Sequence, residues 1–405
     1  MYIAMLPFIL GGTTGGDLPV YANWASKALF DGVWPVFGYD WVYPVGAIVP
    51  VVLPMIFGPG AYQFVWLVLM TAANGAALWF LIERGKTKKS FGAAWWWLFT
   101  VLIMCPVAML RIEGFTAPAV LIALLLLSTR PRAAAILLVS ATWVKVWPVA
   151  VVLAAVVAST KRWVIIIAGV AISVAVSVVV ALGGGIHHLA SFVNAQNGRP
   201  LQVEAPLSTP WLWMSVLRVP GAEIFHDTLL KTEEVRGPGD SWIVAHGTQV
   251  MLLVMAALVV VLALATRRLS LLPYAAERET DLVLLGAISL AAAFIVFNKV
   301  GSPQYMQWIT PIVAVGLVTR RNEWRFPGLV LAIICALTTL DFPILYTTLL
   351  GLNPVAAVVL GLRNVMLVVV LVWSVVKLGQ AAFVSRPVQL GTKPVGATEA
   401  ATTSY

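Results

Sequence analysis

Ionisable side chains are few in this sequence, and they stand at the ends of long apolar runs. They include Asp17 in the first loop, Arg111 and Glu113 in "MLRIEGF", Lys145 in "TWVKVWPV" and Lys299 in "FNKVGSPQY". A basic group at a membrane boundary can hold a phosphate, and a carboxylate beside it can take a proton from a hydroxyl group. This combination predicts one outward-facing polar site at the end of an apolar bundle.

The composition places the chain in a membrane. Of its 405 residues, 60% are hydrophobic and 11% are charged, whereas about a quarter of the residues of a soluble domain are charged. A membrane-spanning helix uses about 20 apolar residues, so the chain has room for roughly a dozen spans and none for a second, soluble domain. Soluble enzymes are therefore excluded, and the net charge of +9 is not taken as a sign of nucleic acid binding.

Uncharged apolar runs predict the spans. They cover about 61–82, 91–110, 115–128, 163–182, 249–265, 282–297, 304–318, 326–340 and 355–376, the last broken only by Arg363. The run 133–158 contains "TWVKVWP", and because mid-membrane charge is costly and proline breaks a helix, it predicts two short helices. Met1 to Leu10 is about half the length of a span, and we expect it to be the outer half of a first one. Together these segments predict about 12 transmembrane helices.

The basic residues orient these spans, because cytoplasmic loops carry an excess of Lys and Arg. With segment 84–90 in the cytoplasm, the inner segments collect 17 basic and 6 acidic residues, and the outer ones 9 basic and 11 acidic residues. We therefore expect cytoplasmic termini and two long outer loops, 12–60 and 184–248, that cover the site. A single transmembrane domain is expected over 1–380, with interfacial helices in its first outer loop, and a disordered cytoplasmic tail over 381–405.

Five ordered segments resemble a known family. They are "GGDLPVYANWASKALFDGVWPVFGYDWVYPVG", "LRIEGFTAPAVLIALLLL", "TWVKVWPV", "GRPLQVEAPLSTPWLW" and "SPQYMQWITP". In this order, over residues 16 to about 320, they resemble the hallmark segments of glycosyltransferase family 87. That family comprises multi-span GT-C enzymes of bacterial envelopes and includes polyprenol-phosphate-mannose-dependent α-1,2-mannosyltransferases. Two positions depart from the family pattern: "YPVG" stands where "YPPG" is usual, and Glu113 where Asp is more usual.

The resemblance implies an all-α polytopic membrane protein with the GT-C fold, a sugar donor on a polyprenyl phosphate, and a catalytic base in the first outer loop, which falls on Asp17. A sugar on a lipid phosphate leaves as an anion, so the reaction needs cations more than the second carboxylate that a glycoside hydrolase requires. The residues expected to bind the donor phosphate or another part of the substrates are Arg111, Glu113, Lys145, Arg199, Glu204, Lys299, Gln304 and Tyr305.

Each candidate also has a structural alternative. Asp17 follows a glycine-rich turn, where an aspartate commonly caps a helix. Arg111 and Glu113 could form a salt bridge that closes a turn between helices. Lys145, between two tryptophans, could extend to the membrane interface, and the Gly-Ser-Pro break after Lys299 could be a plain loop.

The remaining polar residues carry less weight. Asp341 is expected to cap a helix end, and Arg363 to reach the outer interface, where it could join the phosphate site. His187 and His188 have no accompanying carboxylates at ligand spacing, so neither a metal site nor another cofactor is expected. The two cysteines each lie inside an apolar run and indicate neither a disulfide nor a zinc site.

The sequence thus favours an inverting membrane glycosyltransferase. It would transfer a hexose, with mannose as the first candidate, from a polyprenyl-phosphate donor to a glycolipid or lipoglycan at the outer face of the plasma membrane. The expected partners are these two lipids and the membrane lipid around them. The alternative is a secondary transporter or lipid-linked sugar flippase, which would place polar residues inside its spans or in paired repeats, whereas this sequence keeps them at helix ends.

Overall fold

The computed structural model describes residues 17–83, 88–194, 199–228, 231–271 and 275–383. The expected half-span Met1 to Leu10 and the tail beyond residue 383 lie outside the described residues. The α-helices in chain order are α1 (Leu18–Phe30), α2 (Ile48–Val52), α3 (Tyr62–Glu83), α4 (Lys88–Ile103), α5 (Cys105–Leu110), α6 (Glu113–Leu126), α7 (Pro131–Val144), α8 (Val149–Ala158), α9 (Arg162–Leu182), α10 (Ser191–Asn194), α11 (Thr209–Val216), α12 (Asp240–Leu269), α13 (Ala275–Val296), α14 (Met306–Thr319), α15 (Arg321–Thr339), α16 (Tyr346–Leu350) and α17 (Pro354–Phe383). Three strands complete the set: β1 (Leu201–Gln202), β2 (Glu223–Asp227) and β3 (Thr232–Arg236).

Six helical segments of the described residues are long and apolar enough to cross a membrane. They are Pro59–Ile82, Arg162–Leu182, Asp240–Leu269, Arg278–Val296, Arg321–Ile344 and Pro354–Phe383. Shorter apolar segments of 10–17 residues are Val45–Phe57, Ser90–Ile103, Glu113–Leu126, Pro131–Val144 and Val149–Ala158. The fold is therefore that of a multi-pass helical membrane protein, whereas the expected number of about 12 spans is not confirmed.

The expected break within 133–158 is confirmed. Helix α7 ends at Val144, and α8 begins at Val149. Lys145 between them is extended, and Pro148, which has no N–H to donate, directly precedes α8. The chain thus forms a helical hairpin whose turn carries Lys145.

The run 91–110, expected to be one helix, is divided. Helix α4 ends at Ile103 and α5 occupies Cys105–Leu110, with Pro106 in its first turn, where a missing N–H is tolerated. Arg111 then adopts an extended backbone conformation before α6 begins at Glu113. This second break places an arginine and a glutamate side by side at a helix junction.

The apolar core of the bundle is built around α13, which packs against α8, α12 and α17. In its spanning segment 72% of the residues are buried, against 11% in α9. Helix α9 is therefore peripheral and presents most of its valine and isoleucine side chains outward. A second apolar cluster joins the first outer loop to α3, α5 and the junction at Ile112, and so holds that loop against the bundle.

A small antiparallel sheet corrects the all-α expectation. Its strand order is β1-β3-β2, and Val235 in the central strand pairs with Leu201 and Ile224. These apolar residues pack with Leu212 of α11 and Leu360 of α17 in a third buried cluster. The sheet therefore fixes part of the second long loop to the last helix and to α11.

Candidate active site

Asp17 and Arg111 form an ion pair. Asp17 stands at the N-terminal boundary of α1, but its side chain makes no capping hydrogen bond to an N–H of that helix. It accepts a hydrogen bond from the Tyr21 hydroxyl instead, at 3.0 Å. The carboxylate is thus turned toward the helix junction at Arg111, and the capping alternative has no support in this geometry.

The charges around Asp17 determine its protonation state. Burial raises the pKa of this carboxyl group. The guanidinium of Arg111, the ammonium group of Lys145 and the hydroxyl of Tyr21 together lower it by more than burial raises it, so the pKa lies below the usual value for Asp. Asp17 is therefore ionised at neutral pH and can accept a proton from a hydroxyl group that becomes acidic during a reaction.

Glu113 pairs with Lys145 and not with its neighbour Arg111. The Lys145 Nζ lies 3.2 Å from Glu113 Oε1, and the Glu113 side chain is completely buried. Both carboxylate oxygens of Glu113 lack a hydrogen bond, so the ammonium group is their main compensation. The local salt bridge considered as an alternative for Arg111 and Glu113 is wrong, because each residue has a different partner.

An aromatic frame surrounds these two ion pairs, and none of its residues was predicted from the sequence. The hydroxyl groups of Tyr21 and Tyr43 lie 3.2 Å apart, and Lys145 Nζ lies 4.2 Å from the centre of the Tyr43 ring. Tyr21 stacks on Trp66 with ring centres 5.3 Å apart. The segments "VYANW" and "DWVYP" could have indicated this frame, because their tyrosines lie close in the sequence to Asp17 and to the start of the next helix.

Tyr305 connects the ion pairs with the second long loop. It lies within electrostatic range of both Lys145 and Arg199, and its ring stacks on Trp308 with centres 3.9 Å apart. Gln304 accepts a hydrogen bond from Ser302 at 2.7 Å. Arg199 and Tyr305 therefore border the same basic region as Lys145, while the Gln304 side chain is engaged in its own turn.

Lys299 is held by backbone groups. Its Nζ donates to the Val244 carbonyl at 2.8 Å, and its own carbonyl accepts from the Gln202 N–H at 3.0 Å. Burial and the nearby charge of Arg199 lower the pKa of Lys299. Lys299 therefore connects α12, β1 and the segment before α14. If it does not bind substrate, its role is to hold these elements together, and the segment is not the plain loop that was considered.

Glu204 belongs to a different, fully buried polar cluster. Arg363 donates to the Glu204 carbonyl oxygen and lies 3.7 Å from Asp341. Asn364, next in the chain, donates to the Thr209 hydroxyl at 2.9 Å. Burial and the carboxylate of Asp341 raise the pKa of Glu204. This cluster joins the second long loop to α11, the end of α15 and α17.

Two expectations are corrected by that cluster. Asp341 is 0% exposed and neither of its carboxylate oxygens accepts a hydrogen bond, so it does not cap a helix end. Arg363 is 1% exposed and does not reach an interface, because its partners lie inside the protein. The two clusters are nevertheless neighbours: the Arg111 guanidinium lies 6.0 Å from the ring centre of Phe342.

Three further polar side-chain atoms of the second long loop are buried without a hydrogen bond. Gln202 and Glu234 are paired across β1 and β3, which brings their side chains to adjacent positions on one face. Gln202 Oε1, Glu234 Oε2 and Arg199 Nε are buried and have no hydrogen bond. Neither Gln202 nor Glu234 was identified from the sequence, because the pairing depends on a strand of two residues.

Metal-ligating residues are dispersed in the described part of the chain. No group of three or more His, Cys, Asp or Glu side chains there could hold a metal ion. His188 in the second long loop contacts Asp40 in segment 12–60 at 2.6 Å. The ionisable groups at the site are therefore Asp17, Arg111, Glu113 and Lys145.

The fold and the site define a polytopic membrane protein with a charged site where several helices end. The comparison with protein families gives one match: the model for glycosyltransferase family 87 matches residues 41–231. It confirms the resemblance to this family, covers the end of the first segment and the second, third and fourth segments, and indicates a membrane glycosyltransferase. Neither the curated proteins nor the solved structures gave a match. The matched range contains Arg111, Glu113, Lys145, Arg199 and Glu204, whereas Asp17 precedes it.

Proposed function

We propose that this protein is an inverting glycosyltransferase that moves a hexose, with mannose as the first candidate, from a polyprenyl-phosphate donor to a glycolipid or lipoglycan. The observation that supports this proposal is the combination of the ionised Asp17 with the cations Arg111 and Lys145 in one place. A carboxylate can accept the proton of the attacking hydroxyl group, and the two cations can receive the departing phosphate.

The proposed reaction is one displacement at the anomeric carbon. The acceptor oxygen forms a bond to that carbon as the bond to the phosphate oxygen breaks, and the hydroxyl proton goes to Asp17. The leaving phosphate is an anion, so it needs positive charge and no proton. Because a single displacement inverts the configuration, a β-linked donor gives an α-linked product.

Arg111 has a double role in this proposal. In the absence of substrate it pairs with Asp17 and so lowers the pKa of the base. A donor phosphate competes for the same guanidinium. When it binds, Asp17 loses part of this stabilisation, its pKa rises, and it becomes a stronger base when the donor is in place.

Lys145 has a more fixed position. Its pairing with the buried Glu113 keeps the ammonium group in the turn between α7 and α8, where we propose that it contacts the donor phosphate. Arg199 and Tyr305 then border the site from the second long loop and the start of α14. We assign these two residues to substrate binding. Glu204, Lys299 and Gln304 are proposed as further substrate contacts at the edge of the region, and each must then exchange or add to the protein contacts that it makes here.

The proposed location is the plasma membrane, with the site on the outer face and the termini in the cytoplasm. The distribution of Lys and Arg along the sequence supports this orientation. The sugar hydroxyl groups of the acceptor then approach from outside, while the lipid tails of donor and acceptor remain in the bilayer. A transporter is less compatible, because the ion pairs at Asp17 and Glu113 lie where helices begin and end.

A transfer assay tests the proposal. Purified protein is incubated with radiolabelled polyprenyl-phosphate mannose and a membrane lipid extract, and labelled products are separated and their anomeric configuration is determined by NMR. We expect a labelled glycolipid with inverted configuration, absent from reactions with the Asp17→Asn variant. Equal label transfer by that variant, or retention of configuration, would contradict the mechanism. Facilitated movement of the intact donor across liposome membranes without transfer would support the transporter class.

A further inference from the structure

A groove lies between α4 and α15, away from the candidate active site. It has a volume of about 280 Å³ and two chemically different ends. Arg321 and Arg325 stand at one end, and the wall beyond them is apolar. The residues that line it there include Trp96, Phe99 and Leu329. A ligand that fits this groove must therefore combine a negative charge with an apolar body.

The two helices that form the groove run in the same direction. At one end, a side chain on Gly92 would meet the Arg321 guanidinium at 3.6 Å. At the other end, the Thr339 hydroxyl donates to the Ile103 carbonyl at 2.8 Å. Helix N-termini leave N–H groups without intrahelical partners and carry partial positive charge. Both helices begin at the arginine end, so their backbone dipoles add to the positive charge there.

The arginines in the groove have no carboxylate partner among the described residues, in contrast to their neighbour. Arg320 pairs with Asp281 and with Glu323, the latter at 3.3 Å. Arg321 and Arg325 are separated by four positions and therefore lie on one face of α15. An unpaired charge beside an apolar surface in a membrane protein is costly, so an anionic ligand would compensate both guanidinium groups.

The apolar part of the groove is rigid and open to the surroundings. The Trp96 indole donates to the Gly328 carbonyl at 2.9 Å, which fixes the ring between the helices. Phe99 and Leu329 are 47% and 64% exposed. These side chains continue the groove away from the arginines along the length of the helices. An extended hydrocarbon chain fits that shape, whereas a small soluble anion would leave it unfilled.

From these contacts we infer that the groove binds an anionic phospholipid, whose phosphate pairs with Arg321 and Arg325 while one acyl chain lies against Trp96, Phe99 and Leu329. A basic pocket between membrane helices on the cytoplasmic side is suited to an anionic head group. The site is distinct from the one at Asp17, because Gly92 at the arginine end of the groove lies 11 residues before the end of α4 at Ile103, which is about 16 Å of helix at 1.5 Å per residue.

Lipid binding by the full-length protein tests this inference. Wild-type protein and the double variant Arg321→Gln/Arg325→Gln are reconstituted in nanodiscs of phosphatidylcholine with or without phosphatidylglycerol. Thermal unfolding and native mass spectrometry of the released protein report stabilisation and retained lipid. Arg132→Gln is the matched control, since Arg132 stands in the first turn of α7, outside the groove. We expect phosphatidylglycerol to stabilise wild type and the control, and its retention to fall about tenfold in the double variant.

Two further arms keep the result decisive. Gly92→Leu retains both arginines but narrows the groove beside Arg321. We expect this variant to lose phosphatidylglycerol as the double variant does. If the double variant fails to fold, Gly92→Leu takes its place in the comparison. Inorganic phosphate is added to wild type without phosphatidylglycerol. The inference is overturned if phosphate gives the same stabilisation, if phosphatidylcholine is retained equally well, or if the folded variants keep phosphatidylglycerol at the wild-type level.

Discussion

Arg111 is paired with Asp17, although Glu113 stands only two positions away in the chain. The extended backbone at Arg111, between α5 and α6, turns its side chain toward the first outer loop, while Glu113 begins α6 and faces Lys145 in the next hairpin. Two ion pairs therefore connect three segments that are distant in the sequence: the start of α1, the junction between α5 and α6, and the turn between α7 and α8. They place one ionised carboxylate and two cations around a common space, which is the basis of the proposed transfer reaction.

Replacing Asp17 with Asn separates catalysis from binding. Asn cannot accept the acceptor proton, and loss of a general base costs about 10² to 10⁴ in rate. We expect sugar transfer to be abolished. Donor binding should be retained or become tighter, because Arg111 no longer has a carboxylate that competes with the phosphate. Radiolabelled transfer and donor binding are measured on the same purified variant.

The matched control is Asp40→Asn, which removes an exposed carboxylate of the same loop that pairs with His188. This control should transfer sugar normally. If Asp17→Asn is folded and transfers at nearly the wild-type rate, Asp17 is not the base, and Glu113 or Glu204 must be tested in its place.

Local features of the sequence predicted the hairpin at Lys145 well. A charge and a proline within an apolar run give a signal that does not depend on the rest of the fold, and α7 and α8 end and begin on either side of it. The break at Met104 was missed, because Pro106 lies in the first turn of a helix, where proline is tolerated. Apolar composition alone therefore overestimated the continuity of that run.

The partners of the site residues could not be predicted from the sequence. Candidates such as Arg111, Lys145 and Arg363 were recognisable as charges at helix ends or in a span, but whether a buried charge has a local or a distant partner depends on how the helices pack. For Glu204, nothing in the sequence indicated that its carbonyl oxygen accepts a hydrogen bond from Arg363, 159 positions away. The sheet was missed for a similar reason, since β1 has two residues and is recognisable only when paired with β3.

The proposed orientation of the chain predicts which side of the membrane each loop reaches. A cysteine introduced at Lys88 should be protected from an impermeant maleimide in intact cells and should react after permeabilisation. A cysteine at Asp40, in the first outer loop, should react in both conditions. The two native cysteines are buried, so background labelling is low. Reaction at position 88 from outside would invert the topology and remove the proposed site from the outer face.

The buried Glu204 predicts an unusual dependence of stability on pH. Its pKa is raised from 4.5 to about 8 by burial and by the neighbouring Asp341. Between these values the unfolded chain releases this proton and the folded protein keeps it, so stability falls as pH rises, by at most about 1.4 kcal/mol per pH unit for this group. The loss ends above the folded pKa.

Glu204→Gln removes that proton linkage and keeps the size of the side chain. We expect the variant to gain melting temperature relative to wild type as pH is raised from 6 to 9, with little difference near pH 5. Glu223→Gln, on β2 and about half-exposed, serves as the control and should follow wild type. Parallel melting curves for wild type and Glu204→Gln across this range would show that Glu204 does not hold a proton in the folded protein.

Lys145 is predicted to bind the donor phosphate, but its removal also leaves Glu113 as an unpaired buried carboxylate, a change that typically costs about 3 to 5 kcal/mol. A loss of activity in Lys145→Met alone would therefore be ambiguous. The double variant Lys145→Met/Glu113→Gln removes both charges at nearly constant volume and should recover most of the stability. Removing a charge-assisted hydrogen bond worth roughly 1.5 to 3 kcal/mol should still lower donor kcat/KM by about ten- to a hundredfold.

Lys299→Ala provides the comparison, because the ammonium group of Lys299 is already bound to the Val244 carbonyl. We expect this variant to have a smaller effect on donor kinetics. Donor kinetics at the wild-type level in the folded double variant would show that Lys145 only balances Glu113, and the phosphate would then depend on Arg111.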